Sequence, residues 1–442
     1  MTASAGAGCR TRRRGRAVTG ALLVVLGPPV AIGAGVGAAL GVAVVAPAPA
    51  VFLIAGLAVL TFVMFAAARA GLRLMRAHRP TVIAVGLAVT VAAVVCTASA
   101  VTILRPFPPR EATATPANVR YLDLPTGSRL AYVHVPAADS AQRRDTPVVF
   151  LHGGPGTPGE GIPAGGTELA ALGFDVYAYD QLGAGRSSRL ADVTGYTVAR
   201  QVADLDAIRE VLGAERLVLI GRSWGGSLAA QYLAAHPDRV AKVVFVAPGA
   251  LWAGAYRDGG VGEPWTGMKP EQQARYDRLT SSPRVLAQAL LMAVAPNAAH
   301  ALVPDAEADS WMHEVALSGR DGTSCSGAPS APPHDNPQGF YVNQMTNRDF
   351  ARMPDSRPAL GRVRVPALVM AAQCDFVRWP VTREYRDVLP SSTLVDIQGA
   401  GHAISTDRPG LYVELLRTFL LDEDLPLPGY TAAEPPPGRW AR

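Results

Sequence analysis

The chain has 442 residues, 49% of them apolar, and a formal charge of +5. That length accommodates one large domain with additions, or two ordinary ones. The positive excess is confined to the N-terminal quarter: residues 1–110 hold eleven Arg and no Asp or Glu, which leaves 30 basic against 36 acidic residues elsewhere. The remainder therefore lacks the basic face that nucleic-acid binding requires, and no nucleic-acid partner is expected.

Three runs in this arm, Ala17–Ala46, Ala48–Ala68 and Thr81–Leu104, contain no charged residue. Each reaches the roughly 20 residues that a helix needs to cross a bilayer. Arg residues precede the first run and fill the loop Arg69–Arg79, whereas the loop at Pro47–Pro49 is uncharged. By the positive-inside rule this predicts three spans, a cytoplasmic N-terminus and an extracytoplasmic chain beyond Leu104, with membrane lipid as partner. A cleaved signal peptide fits less well, because the first run is too long and two more spans follow. Pro28-Pro29 is expected to kink or shorten the first span. Gly33, Gly37 and Gly41 fall four apart on one helix face, which reads as packing among the protein's own spans. The "GAGVG" at Gly33–Gly37 has no preceding strand, so it is not a dinucleotide loop.

Residues 105–117 form a Pro-rich linker. Beyond it, short β-branched runs alternate with helical stretches. Strands are expected at Val119–Leu124, Arg129–Val135, Pro147–Leu151, Phe174–Tyr179, Leu217–Ile220, Val240–Val246, Ala367–Ala371 and Thr393–Ile397, with the first two forming an antiparallel hairpin. Such alternation predicts an α/β domain over residues 118–421, built on a mostly parallel eight-stranded sheet. Residues 250–357 interrupt the rhythm and read as an inserted helical cap over the sheet edge where ligands bind. Residues 422–442, with three consecutive Pro, read as a disordered tail. Cys325 and Cys374 would face an oxidising exterior, so a disulfide between them is open.

"GRSWGG" at Gly221–Gly226 follows an apolar strand and precedes a helix, as a nucleophile elbow requires. Gly221 and Gly225 flank Ser223 where side chains would collide in the tight turn. "LHGGPG" at Leu151–Gly156 ends another strand. Its glycines leave backbone N–H groups unhindered, so Gly153 or Gly154, together with Trp224, are candidate donors to an oxyanion. His152 reads as structural. Downstream, "LVMAAQCD" puts Asp375 just after a strand, and "LVDIQGAGH" puts His402 in a loop after the next. The order Ser, acid, His is that of an α/β-hydrolase, and it assigns His402 as general base and Asp375 as its orienting partner. Asp396, within its strand, is the weaker acid, and Cys374 has no partner His at a recognisable spacing. "HEVAL" at His313–Leu317 lacks the second His of a zinc helix, and there is no phosphate loop, so neither metal nor cofactor is expected.

Together, "HGGPG", "DQLGAGRS" (Asp180–Ser187), "GRSWGG", Asp375 and "GAGH" (Gly399–His402) resemble the proline iminopeptidase family of α/β-hydrolases. The resemblance covers roughly residues 119–421. It implies metal-free removal of an N-terminal residue, often proline, from short peptides, with acidic cap residues holding the free amine. Glu314, and after it Glu263, are the candidates for that role. Leu182 and Arg222 depart from the family's usual residues at their positions. An esterase or lipase using the same three residues on a small ester is the alternative, and a non-catalytic binding module is the third. The oligomeric state is not legible.

Overall fold

The computed structural model describes residues 4–111, 113–139, 142–256, 260–265, 268–325 and 334–438, with side chains from Arg12 onward. They fall into two compact units. One holds the chain up to Pro106 together with Thr280–Pro304, and the other holds Phe107–Leu279 and the chain from Asp305.

The first unit contains α1 (Ser4–Val45), α2 (Pro49–Leu74) and α3 (Pro80–Val101), each long and apolar enough to cross a membrane. A helix is the conformation that satisfies every backbone polar group internally, which an apolar solvent demands. Pro47 and Pro49 bracket the turn between α1 and α2, with Pro49 at the first helical position, where its missing N–H costs nothing. Pro28 and Pro29 lie inside α1, which continues past them without shortening.

The expected glycine face is not the one used. A Cβ on Gly33, Gly37 or Gly41 would meet nothing within 4 Å. The close contact is made instead by Gly20 against Gly71, where a Cβ would lie 2.6 Å from the carbonyl oxygen. Gly35 meets Gly56 in the same way, at 2.8 Å. Gly27, between them, faces Met64. Gly20, Gly27 and Gly35 are spaced seven and eight apart, two helical turns, and so share a stripe as surely as residues four apart do.

The segment Thr280–Pro304 contributes two short helices, Pro283–Val294 and Pro296–Leu302, to this unit. Leu291, Ala295, Ala298 and Ala299 pack with Ala43 and Phe52, at the two sides of the α1–α2 turn. Leu286, Leu290 and Val294, four apart along the first of these helices, remain exposed.

The second unit is built on one sheet with strand order β1-β2-β4-β3-β5-β6-β7-β8. The strands are β1 (Arg120–Asp123), β2 (Arg129–Val135), β3 (Val148–Leu151), β4 (Val176–Tyr179), β5 (Leu217–Arg222), β6 (Val240–Val246), β7 (Ala367–Ala372) and β8 (Ser392–Ile397). β1 and β2 form the antiparallel hairpin, β2 runs antiparallel to β4, and the others are parallel. The central strands read as unbroken apolar runs because helices cover both of their faces. One face buries Val148, Ile220, Val244, Met370 and Val395 against Leu415 and Leu416 of the helix Pro409–Leu420. Since β3, β5, β7 and β8 are parallel, the residues that follow them emerge at a single edge.

The Pro-rich linker and the C-terminal tail are both seated. In the Pro-rich stretch, the N–H of Phe107 donates to Glu307 Oε1 at 2.8 Å and that of Arg110 to Ser310 Oγ at 2.8 Å. The expected disordered tail instead runs beside β8, the last strand of the sheet. Tyr430 N–H donates to the Leu394 carbonyl at 2.7 Å, and the Trp379 indole donates to the Ala433 carbonyl at 2.8 Å. An edge strand offers unpaired backbone groups, and the tail meets some of them.

The glycine contacts carry a prediction. Gly56→Leu forces α1 and α2 apart and destabilises the detergent-solubilised protein by about 1–3 kcal/mol, the range for overpacking. Gly37→Leu, at an open position, changes the unfolding free energy by less than about 0.5 kcal/mol.

Candidate active site

The geometry starts from the elbow after β5. Ser223 sits at φ 54°, ψ −122°, a left-handed conformation rare for a residue with a side chain. The turn closes through the Gly226 N–H donating to the Ser223 carbonyl at 2.9 Å, while Ser223 N–H donates to Val246 at 3.1 Å. The flanking glycines are sterically required. A Cβ on Gly221 would lie 2.3 Å from the Gly225 carbonyl oxygen, and one on Gly225 would lie 2.1 Å from that of Leu151. The serine stands at the start of the helix Trp224–Ala235, whose first N–H groups have no helical partner.

Asp375 follows β7 and His402 follows β8, and the two side chains meet. His402 Nδ1 lies 2.9 Å from Asp375 Oδ1, with both residues buried. The same carboxylate oxygen accepts the Val377 N–H at 3.0 Å. These contacts assign the Nδ1 proton to the carboxylate side and leave Nε2 as the basic nitrogen. The Phe376 ring packs on the imidazole with centroids 4.2 Å apart. No hydrogen bond from the Ser223 hydroxyl is present among the described residues, and such arms tighten on binding substrate. Asp396, the weaker acid candidate, meets Gln398 rather than His402. Cys374 is joined to Cys325 in a disulfide, which removes it as a nucleophile and ties the acid's loop to a segment 49 residues earlier.

The glycine turn after β3 lies against the elbow. A Cβ on Gly153 would come within 3.1 Å of the Ser223 Cβ, and Gly154 takes φ 116°, which only glycine adopts readily. His152 is locked within this turn: Nδ1 donates to the Gly153 carbonyl at 2.8 Å, and Nε2 accepts the Gln181 N–H at 2.9 Å. Burial lowers its pKa to about 4, so the ring stays neutral and structural.

Gln181 was not singled out from the sequence, yet it joins the two sides of the site. Its Nε2 donates to the His152 carbonyl at 2.9 Å, and its Oε1 accepts the Trp224 indole N–H at 3.0 Å. It is fully buried. One side-chain amide thus fixes the distance between the glycine turn and the residue after the nucleophile. Asp180, beside it, accepts from Arg186 N and Asn336 Nδ2 at 2.9 Å each, and burial pushes its pKa up to about 6.

A cavity of about 340 Å³ adjoins the elbow through Gly153 and Arg222. Its walls include His152, Glu160, Asp180, Arg186, His334 and Tyr412. Neither expected amine-binding residue lines it. Glu314 forms an ion pair with Arg275, and Glu263 is exposed elsewhere.

Residues 146–409 match the family model described as alpha/beta hydrolase fold. A proline iminopeptidase of Lactobacillus delbrueckii subsp. bulgaricus is 28% identical over 311 residues, 68% of this chain and 97% of that protein. Another, from Heyndrickxia coagulans, is 40% identical over 103 residues, a match that spans 23% of this chain and 35% of the relative's length. Among solved structures, the esterase EaEST from Exiguobacterium antarcticum aligns at TM-score 0.46 and 19% identity over 68% of this chain and 98% of that one.

Replacing the bridging amide tests the site's construction. Gln181→Leu lowers kcat about 10- to 100-fold with KM little changed, the penalty for misplacing catalytic groups without removing any. Steady-state kinetics on the best amide or ester substrate checks it.

Proposed function

The chain belongs to the α/β-hydrolase fold family, and on that premise we propose that it is a membrane-anchored serine aminopeptidase that removes N-terminal residues, proline among them, from short peptides. The observation that carries the reading is the 2.9 Å contact between His402 Nδ1 and Asp375 Oδ1, at the edge where the strained Ser223 emerges. Similarity to proline iminopeptidases supports the peptide as substrate.

In this mechanism His402 Nε2 takes the Ser223 proton as the oxygen attacks the carbonyl of the N-terminal residue. The oxyanion that forms is met by the N–H groups of Trp224 and of Gly153 or Gly154. Collapse breaks the C–N bond as His402 returns the proton to the leaving amine. Water, activated by the same imidazole, then hydrolyses the acyl-enzyme. Asp375 holds the ring and stabilises the imidazolium.

The membrane reading rests on α1–α3 and on the arginines flanking them. The exposed row Leu286, Leu290 and Val294 extends the apolar surface of the same unit and supports it. The positive-inside rule puts the catalytic domain outside. The insert between β6 and β7, residues 250–357, serves as the cap apart from the part that joins the helical arm.

One observation favours an esterase as the second reading: Glu314 is engaged with Arg275, and no acid from the cap's helices lines the cavity. A panel of aminoacyl β-naphthylamides against p-nitrophenyl esters, run on the full chain, separates the two. Prolyl or other aminoacyl amides are expected to turn over, and Ser223→Ala to lose about three or more orders of magnitude. Turnover of esters alone contradicts the peptidase assignment, and activity retained in Ser223→Ala contradicts the nucleophile.

A further inference from the structure

Arg222 ends the otherwise apolar strand β5 and directly precedes the nucleophile, a position at which a guanidinium needs a reason. Its side chain reaches into the cavity beside the elbow, and no hydrogen bond or ion pair to it occurs among the described residues.

Two of the carboxylates around it, Glu160 and Asp180, are committed elsewhere. Glu160 holds Arg186 at 2.7 Å and the Asp335 N–H at 3.0 Å. Asp180 accepts from the Arg186 N–H and from Asn336. Asp375 is engaged with His402 and Val377 through Oδ1, while its Oδ2 has no hydrogen-bond partner among the described residues. The two histidines on the cavity wall supply no negative charge, and burial holds both below their ordinary pKa. Arg222 is exposed although the strand residues before it are buried, so its guanidinium stands open to a ligand in the cavity. Its planar fork of five N–H donors fits a carboxylate in bidentate fashion. The cavity, at about 340 Å³, is of the size that small ligands occupy.

We propose that this cavity is an anion subsite, in which Arg222 receives a carboxylate of the substrate while the scissile carbonyl lies at Ser223. The inference deepens the proposed hydrolase reading by naming a substrate class: acidic or free-carboxylate substrates, in preference to neutral isosteres. It rests on the nucleophile assignment but not on peptide specificity.

The test uses two matched pairs that differ by one charge: prolylglycine against prolylglycinamide, and mono-4-nitrophenyl succinate against 4-nitrophenyl butyrate. Binding to the full-length Ser223→Ala protein in detergent is measured by calorimetry, so no turnover is needed, and KM and kcat are measured on the chain with Ser223 intact. At least one pair should show tenfold or greater preference for the carboxylate, expressed in Kd and KM rather than kcat. Arg222→Gln should abolish that preference, and Arg222→Lys should keep part of it. Because a ratio is read within each variant, partial misfolding of one variant does not mimic the result. Equal binding within both pairs, no binding of any member, or a preference that survives in Arg222→Gln overturns the proposal. If the ester pair discriminates while no proline peptide is cleaved, the anion subsite stands and the peptidase reading alone falls.

Discussion

Holding a residue with a side chain at φ 54° costs on the order of 1–3 kcal/mol, and a fold keeps such a residue only where its surroundings dictate the conformation. Here that residue is Ser223. The apolar strand β5 pushes into the turn from one side, and the helix Trp224–Ala235 draws the chain away on the other. Gly221 and Gly225 let the backbone of the elbow approach itself and the Leu151 carbonyl. The hydroxyl is thereby lifted to the sheet edge, where the loops after β3, β7 and β8 also arrive. Parallel strands make that convergence unavoidable, because every such strand ends on the same side.

The motifs legible in the sequence were those whose meaning is local. The elbow needs small residues two positions either side of the serine, and the turn after β3 needs glycine at Gly153 and Gly154, so both patterns survive in the primary structure. Asp375 and His402 could be found because each directly follows an apolar strand, and the sheet joins those strand ends. The eight strands and their hairpin were legible for the same reason, through runs of β-branched residues. What escaped was long-range. Gln181 touches His152 and Trp224, 29 and 43 residues away in sequence, and nothing in "DQLGAG" announces those partners. That Arg222 has no hydrogen-bonded partner among the described residues goes with Glu160 and Asp180 being occupied elsewhere, which no spacing reveals.

The helical arm gives the clearest case of a correct principle applied to the wrong face. Close packing through glycine was expected, and it occurs, but through Gly20, Gly27 and Gly35 instead of Gly33, Gly37 and Gly41. Both sets satisfy helical periodicity, and the choice is made by where α2 places Gly56 and Gly71. The tail was misread for a related reason. Its prolines argue against regular structure, yet an irregular chain can still meet exposed strand edges and indole donors, as Tyr430 and Ala433 do.

The account turns on Ser223 being the group that reacts. The most direct measurement is mass-spectrometric mapping of the full-length, folded protein after exposure to an alkyl fluorophosphonate. The account predicts a single adduct on the peptide containing Ser223, formed far more slowly when His402→Ala removes the base. An adduct on a different residue, or none on protein shown to be folded, contradicts it.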